Sequence, residues 1–163
     1  MKTLLIVFHS RTGGAHQMAE AAALGARSEA NISVRLLRAS EAGGEDLLQA
    51  DGYLFVMPEN LAAIAGEMKE FFDRTYYAAL DRINGRPYAL LVCAGSDGAN
   101  AVRQAERICT GWRLRKAAES IIVCTHAQTP EKILAQKVIA ANELQRCEDT
   151  GAALAAGMAL GVF

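Results

Sequence analysis

The chain has 163 residues, of which 52% are hydrophobic and 21% charged, and its 17 basic and 18 acidic side chains leave a formal charge of -1. A folded chain of this size buries roughly 68–70% of its unfolded surface, so a core can form without disulfide or metal staples. The near-neutral charge argues against a nucleic-acid partner, which would require an excess of Lys and Arg on one face. We therefore expect residues 1–163 to form one domain.

The first apolar run, from Leu4 to Phe8, is too short for the hydrophobic region of a signal peptide. No apolar run approaches the ~18–20 residues that a membrane span requires. The four cysteines are far apart and have no histidine at zinc-site spacing: Cys93, Cys109, Cys124 and Cys147. These features predict a reduced, cytoplasmic protein without membrane insertion or a structural metal.

Five short apolar runs, each followed by a segment with helical periodicity, divide the chain. They are Thr3–Phe8, Ser33–Leu37, Gly52–Met57, Tyr88–Ala94 and Ser120–Thr125. The runs are mostly continuous rather than alternating, which is typical of strands buried on both faces of a parallel sheet. Five repeats of strand and helix predict a doubly wound α/β fold with a five-stranded parallel sheet in the order 2-1-3-4-5.

Three segments between these runs have helical patterns: Gly14–Arg27, the segment that begins at Ile64, and Gly98–Trp112. Further along, Thr129 and Pro130 are typical of a helix N-cap followed by Pro at the first helical position. We expect a long C-terminal helical region after them, and the glycines within it leave its end open.

The first strand leads into a loop of hydroxyl residues and glycines, from Ser10 to Gly14, before a helix begins. Backbone N–H groups at a helix N-terminus, two hydroxyls and the absence of Cβ atoms suit a phosphate dianion. The loop lacks both the Gly-x-Gly-x-x-Gly pattern for a dinucleotide and the Gly-Lys-Ser/Thr pattern of a P-loop, so a single terminal phosphate fits best. An ordinary strand-to-helix turn with a Ser or Thr cap is the alternative interpretation.

Two more loops follow the third and fourth strands. Pro58 is expected to end the third strand, and the next residues would present backbone amides to a planar ring or cap the following helix. Gly95 and Gly98 permit a close approach of the backbone to a ligand, although helix capping explains Asp97 most simply. The 2-1-3-4-5 order brings all three loops together at the point where the strand order reverses, which is where such sheets bind ligands.

The three loops resemble those of the flavodoxin-like NAD(P)H-dependent oxidoreductases, the group of FMN reductases and WrbA-like quinone reductases. Ser10-Arg11-Thr12-Gly13-Gly14 resembles the flavodoxin-type Ser/Thr-x-Thr-Gly phosphate loop, and residues 58–60 with 66–74 resemble the flavin-ring loop and its helix. The resemblance implies a flavodoxin-like three-layer sandwich and a flavoprotein oxidoreductase with bound FMN. It also implies NADPH or NADH as reductant, a small acceptor such as a quinone, and a homo-oligomer, which is common in this family.

The resemblance assigns three groups of residues to FMN. The phosphate would be bound by Ser10, Arg11, Thr12, Gly13 and Gly14, one side of the isoalloxazine by Pro58, Glu59 and Asn60, and its other side by Gly95, Ser96 and Gly98. Because the cofactor carries the chemistry, no side chain is assigned a catalytic role and none is assigned to a metal.

Two other functions stay open beside the reductase. One is an electron-carrier flavodoxin; such carriers dock through strongly acidic surfaces, which a net charge of -1 does not favour. The other is a binding module of the same fold without catalytic activity, and FMN uptake would separate it from the first two. A phospho-receiver is disfavoured, because His9-Ser10 and Met57-Pro58 occupy the positions where it needs carboxylates.

Overall fold

The computed structural model describes all residues from 1 to 163. The five apolar runs form the five longer strands, which are β1 (Lys2–Phe8), β2 (Ile32–Arg38), β3 (Gly52–Asn60), β5 (Pro87–Ala94) and β7 (Ile121–Cys124). Each pairs in parallel with its neighbour in the order β2-β1-β3-β5-β7. The predicted order 2-1-3-4-5 is therefore confirmed.

Two further strands of two residues each were not predicted. Strand β4 (Ala63–Ile64) pairs antiparallel with the end of β3, and β6 (Arg115–Lys116) pairs in parallel with the start of β5. A strand of two residues is too short to produce a periodic apolar pattern, so the sequence contains no signal for either.

The chain forms six helices: α1 (Gly14–Ala26), α2 (Gly44–Gln49), α3 (Gly66–Ala79), α4 (Ala99–Gly111), α5 (Pro130–Leu134) and α6 (Ala141–Leu160). Helices α1 and α6 pack on one face around 22 buried apolar residues, and α2, α3 and α4 pack on the other around 23. Both faces of the sheet are thus covered, which confirms the predicted three-layer architecture. No helix has the length and apolar character to cross a membrane.

The predicted long C-terminal helical region is interrupted. Thr129 caps α5 as expected, its hydroxyl accepting a hydrogen bond from the Lys132 amide at 3.4 Å, and Pro130 is the first helical residue. However, α5 ends at Leu134, residues 135–140 are non-helical, and α6 begins only at Ala141.

Gly151 and Gly157, the two glycines that left the end of the helical region open, both lie inside α6 and do not end it. A Cβ atom on Gly151 would collide with the backbone of Ala22 in α1, so this glycine permits the close approach of the two helices. The helix continues to Leu160 and ends at Gly161, which adopts a left-handed conformation with φ of 68°.

The prediction that Pro58 ends the third strand is wrong, because β3 continues to Asn60. The last residue of β3 that pairs with β1 is Val56, so Pro58 lies beyond the end of β1. Its missing N–H therefore removes no hydrogen bond from that side of the sheet, and on the other side Pro58 still pairs with Cys93 in β5.

Candidate functional site

The predicted site residues lie in three loops at the carboxyl ends of three adjacent strands. We call them loop 1 (residues 9–14, after β1), loop 2 (residues 58–62, at the end of β3) and loop 3 (residues 95–98, after β5). The chain continues directly from a paired strand into each loop, because Phe8 pairs with Val56 and Pro58 pairs with Cys93. The sheet therefore brings the three loops together, as the strand order predicted.

Loop 1 presents unpaired backbone donors at the start of α1. Gly13 adopts a left-handed conformation with φ of 91°, and its amide donates to the hydroxyl oxygen of Ser10 at 3.0 Å. The amides of Arg11, Thr12 and Gly14 donate to no acceptor in the protein. Successive free N–H groups at a left-handed turn and a helix N-terminus form an anion-binding concavity, so loop 1 has the donors that a phosphate requires.

The side chains of loop 1 divide into two groups. The Thr12 side chain is half-buried and its hydroxyl oxygen lies 3.3 Å from the ammonium of Lys137, while the Arg11 side chain is exposed to solvent. Gly14 is buried, and a Cβ atom there would lie 2.6 Å from the sulfur of Cys93, so a larger residue would require the Cys93 side chain to move. Arg11 is thus the one predicted phosphate residue whose side chain faces outward.

Loop 2 forms a tight hairpin between β3 and β4. Its two turn residues, Leu61 and Ala62, have φ of 49° and 60°, the left-handed conformation that two-residue hairpins usually reserve for Asn and Gly. The Leu61 side chain is fully exposed at the tip. A leucine and an alanine hold this conformation only where the surrounding structure fixes the hairpin.

Three hydrogen bonds supply that constraint by fixing the hairpin to α4. The Glu59 carboxylate accepts from the Gly98 amide at 2.8 Å, Asn100 donates to the carbonyl of Ala62 at 2.6 Å, and the Ile64 amide donates to the side chain of Gln104 at 2.9 Å. The first bond places a carboxylate at the N-terminus of α4, where the helix dipole favours negative charge. Glu59 therefore joins loop 2 to loop 3.

Loop 3 is fixed on its other side as well. The carbonyl of Gly95 accepts from the His126 amide at 2.8 Å, and Ser96 is exposed. Gly98 has φ of 86°, and a Cβ atom there would lie 2.7 Å from Ile122 in β7. Both the backbone conformation and the neighbouring strand therefore require glycine at this position.

His9, the first residue of loop 1, and Glu67 in α3 were not among the predicted site residues. His9 Nε2 is buried and lies 3.3 Å from a carboxylate oxygen of Glu67, yet it has no hydrogen-bond partner. Burial lowers the pKa of His9 below its ordinary value of 6.5; the nearby Glu67 opposes this shift, whereas Arg11 and Arg38 reinforce it. The folded protein therefore favours the neutral form of His9.

Sequence reasoning also missed the segment between α5 and α6, which lies across loop 1. The Lys137 amide donates to the carbonyl of Thr12 at 2.8 Å, and the Gln17 side chain bonds to both Gly13 and Lys137. The contacts of Lys137 with Thr12 and Gln17 join residues more than 100 positions apart, and no motif in the sequence marks them. The same segment lines one side of a cavity of about 530 Å³, and the end of β7 lines the other.

Comparison with known families gives a match that covers most of the sheet. The family model described as NADPH-dependent FMN reductase matches residues 38–128, which include loops 2 and 3 and exclude loop 1. A protein of Aquifex aeolicus named flavodoxin is 38% identical over 96 residues, covering 59% of this chain and 50% of that protein. An Acidithiobacillus ferrooxidans protein named NAD(P)H dehydrogenase (quinone) is 35% identical over 95 residues, covering 46% of this chain and 48% of that protein. The chain spans about half the length of these curated relatives.

Solved structures share the fold over nearly the whole chain. A flavodoxin from the domain Archaea superposes with a TM-score of 0.76 at 17% identity, covering 94% of this chain and 96% of that structure. A WrbA-like flavodoxin from Agrobacterium tumefaciens superposes with a TM-score of 0.69 at 19% identity and covers 99% of both chains. The predicted flavodoxin-like fold is therefore confirmed.

Proposed function

Because the chain belongs to the NADPH-dependent FMN reductase family, we propose that it binds FMN at loops 1, 2 and 3 and acts as an oxidoreductase. Electrons would pass from NADPH or NADH through the flavin to a small acceptor such as a quinone. The relative named NAD(P)H dehydrogenase (quinone) supports this class of donor and acceptor. Four free cysteines suit a reducing compartment, and we place the protein in the cytoplasm.

The observation that carries the proposal is the unpaired donor set of loop 1. Free amides at Arg11, Thr12 and Gly14, together with the Thr12 hydroxyl, offer hydrogen bonds to one small anion at the N-terminus of α1. A phosphate monoester carries oxygen acceptors and negative charge, both of which these donors and the helix dipole favour. The residues of loop 1 therefore fit the phosphate end of FMN.

Loops 2 and 3 would hold the flavin ring by shape and by backbone donors. Pro58 and the Glu59–Gly98 bond stiffen the edge of the sheet on which the ring would lie, and Gly95 exposes backbone without a side chain. Hydride acceptance and release are the chemistry that bound FMN itself supplies. The protein would orient the ring and, through backbone N–H groups, would stabilise negative charge on it.

A second candidate, an electron carrier, is favoured by one observation, the relative named flavodoxin. Both candidates use the same site and differ in whether a nicotinamide reduces the flavin. The formal charge of -1 supports the reductase, because carriers dock on basic partners through acidic surfaces.

The test is a titration of the apo-protein with FMN and with riboflavin, followed under nitrogen by NADPH or NADH. We expect FMN to bind much more tightly than riboflavin, because loop 1 contacts the phosphate that riboflavin lacks. Bleaching of the bound flavin by either nicotinamide supports the reductase, and reduction by dithionite alone supports the carrier. Failure of FMN to bind contradicts both.

A further inference from the structure

Residues 135–140, which we call the strap, connect α5 to α6 and cross loop 1. The strap has the alternating exposure of an extended segment: Gln136 and Val138 are exposed, Lys137 is half-buried and Ile139 is buried. Two positions of the strap therefore face the body of the protein, and the first of them carries a positive charge.

Hydrogen bonds to loop 1 and to helix α1 fix the position of the strap. The Lys137 amide donates to the Thr12 carbonyl at 2.8 Å. Gln17 in α1 binds the strap through both ends of its carboxamide, donating to the Lys137 carbonyl at 2.7 Å and accepting from the Ile139 amide at 3.1 Å. These three bonds hold Lys137 beside Thr12, with its ammonium 3.3 Å from the Thr12 hydroxyl oxygen.

The Lys137 ammonium has only uncharged partners. It lies within hydrogen-bond distance of the Thr12 hydroxyl at 3.3 Å and of three carbonyls at the end of α5, those of Lys132, Ile133 and Ala135. It takes part in none of the ion pairs of the chain. A partly buried cation without a counter-ion therefore lies beside a group of unpaired amides that suits an anion.

We propose that the strap forms the outer wall of the phosphate site and that Lys137 supplies its cation. This proposal rests on the proposed function, since it assigns the ligand's phosphate to loop 1. An anion bound to the Thr12 hydroxyl and the Gly14 amide lies within reach of the same ammonium, and hydrogen bonds between ionised groups are roughly twice as strong as neutral ones. Lys137 is thus a residue that selects phosphorylated over unphosphorylated flavin.

Gln136 supplies a second, opposite effect. Its carboxamide lies against Gly13 so closely that a Cβ atom on that glycine would collide with it. A phosphate at loop 1 would displace this side chain from Gly13, and because Gln136 is exposed, the side chain can turn toward solvent without movement of the backbone. Removing the side chain therefore favours binding, whereas removing the Lys137 ammonium opposes it.

The test compares FMN and riboflavin binding, by quenching of flavin fluorescence, in the wild type and four variants. We expect Lys137→Met to weaken FMN binding by about tenfold or more, since hydrogen bonds to charged groups contribute ~1.5–3 kcal/mol, and to leave riboflavin binding unchanged. Lys137→Arg should restore most of the affinity for FMN. Lys132→Met is the matched control, because it removes a charge from an exposed position in α5, and it should bind FMN as the wild type does. Gln136→Ala should bind FMN more tightly than the wild type.

The outcomes separate this proposal from the function on which it rests. A wild-type protein that binds neither flavin contradicts the proposed function. A wild type that prefers FMN, together with a Lys137→Met variant of equal FMN affinity, overturns the role of Lys137 alone. Equal loss of FMN and riboflavin binding in that variant also overturns it, because the residue then has no preference for phosphate.

A measurement on the wild-type protein keeps the proposal testable should Lys137→Met fail to fold. In an amide NMR titration with inorganic phosphate, we expect the resonances of Gln136 and Lys137 to shift together with those of Thr12 and Gly14. Unshifted strap amides alongside shifted loop 1 amides would overturn the proposal.

Discussion

Loop 1 and the pair formed by loops 2 and 3 lie on the same edge of the sheet but satisfy their polar groups in opposite ways. In loop 1 the amides of Arg11, Thr12 and Gly14 donate to nothing in the protein. In loops 2 and 3, a carboxylate and two side-chain amides bond the hairpin to α4. Unpaired donors favour an incoming anion, so loop 1 would hold the phosphate end of a mononucleotide. Polar groups that are bonded within the protein give a fixed surface, so loops 2 and 3 would hold the ring.

The largest effect should come from removing one donor of loop 1. We expect Thr12→Val to weaken FMN binding by about tenfold to a hundredfold, since hydrogen bonds to charged groups contribute ~1.5–3 kcal/mol. Riboflavin binding should stay the same. Thr125→Val is the matched control, because the Thr125 hydroxyl, directly after β7, donates to the Ala94 carbonyl at the end of β5. Fluorescence titration of both variants with both flavins checks this, and an unchanged preference for FMN in Thr12→Val removes Thr12 from the site.

Breaking the bond between loops 2 and 3 should lower stability. We expect Glu59→Ala to reduce the free energy of unfolding by about 1–3 kcal/mol, since it leaves the amide of Gly98 without its charged acceptor. Glu59→Gln should cost less, because its amide oxygen still accepts. Urea denaturation measures the loss, with Glu119→Ala as a control on an exposed carboxylate. Equal stability of Glu59→Ala and the wild type would mean that this bond does not hold the two loops together.

A smaller loss should follow from adding a methyl group to the turn of loop 1. Gly13→Ala forces a residue with a Cβ atom into the left-handed conformation, which costs roughly 1–2 kcal/mol, and it also displaces the exposed Gln136 side chain. Gly66→Ala, at the first residue of α3, is the control: nothing lies within 4 Å of its Cβ position, and alanine favours a helix by up to about 1 kcal/mol. Thermal or urea unfolding should therefore shift in opposite directions for the two variants, and parallel shifts would contradict the assignment of strain to Gly13.

The smallest effect concerns pH and His9. Because the folded protein lowers the pKa of His9, the unfolded chain takes up a proton first as the pH falls. Stability is therefore lost from about the ordinary pKa of 6.5 downward, until the pH has passed the lowered pKa of the folded state. The His9→Asn variant should show a flatter stability curve between pH 7 and pH 5, with His16→Asn as a control on a histidine that is more exposed than His9. Parallel curves for His9→Asn and the wild type would contradict the shift.

The sheet and most of its helices were predictable, because buried parallel strands leave continuous apolar runs. The elements that the sequence did not reveal are short or depend on distant contacts. Strands β4 and β6 have two residues each, and α2 has six, too few for a periodic pattern. The end of β3 was predicted wrongly, because β3 can contain Pro58 only where its neighbour β1 has already ended. The local sequence around Pro58 does not show where β1 ends relative to β3.

The sequence also placed the three loops of the candidate site, and their binding of FMN stays a prediction. The glycines of loop 1 mark a turn, and hydroxyls beside a helix start point to an anion. The roles of Glu59 and Lys137 were not predictable, because each depends on a partner, Gly98 and Thr12, that only the folded sheet brings near.

The most direct test of loop 1 as a phosphate site is an amide NMR titration of the wild-type protein with FMN and, in parallel, with riboflavin. We expect the resonances of Arg11, Thr12 and Gly14 to shift strongly with FMN and weakly with riboflavin, while those of loops 2 and 3 respond to both. Loop 1 resonances that stay unchanged with FMN, while those lining the cavity beside β7 move, would contradict the account.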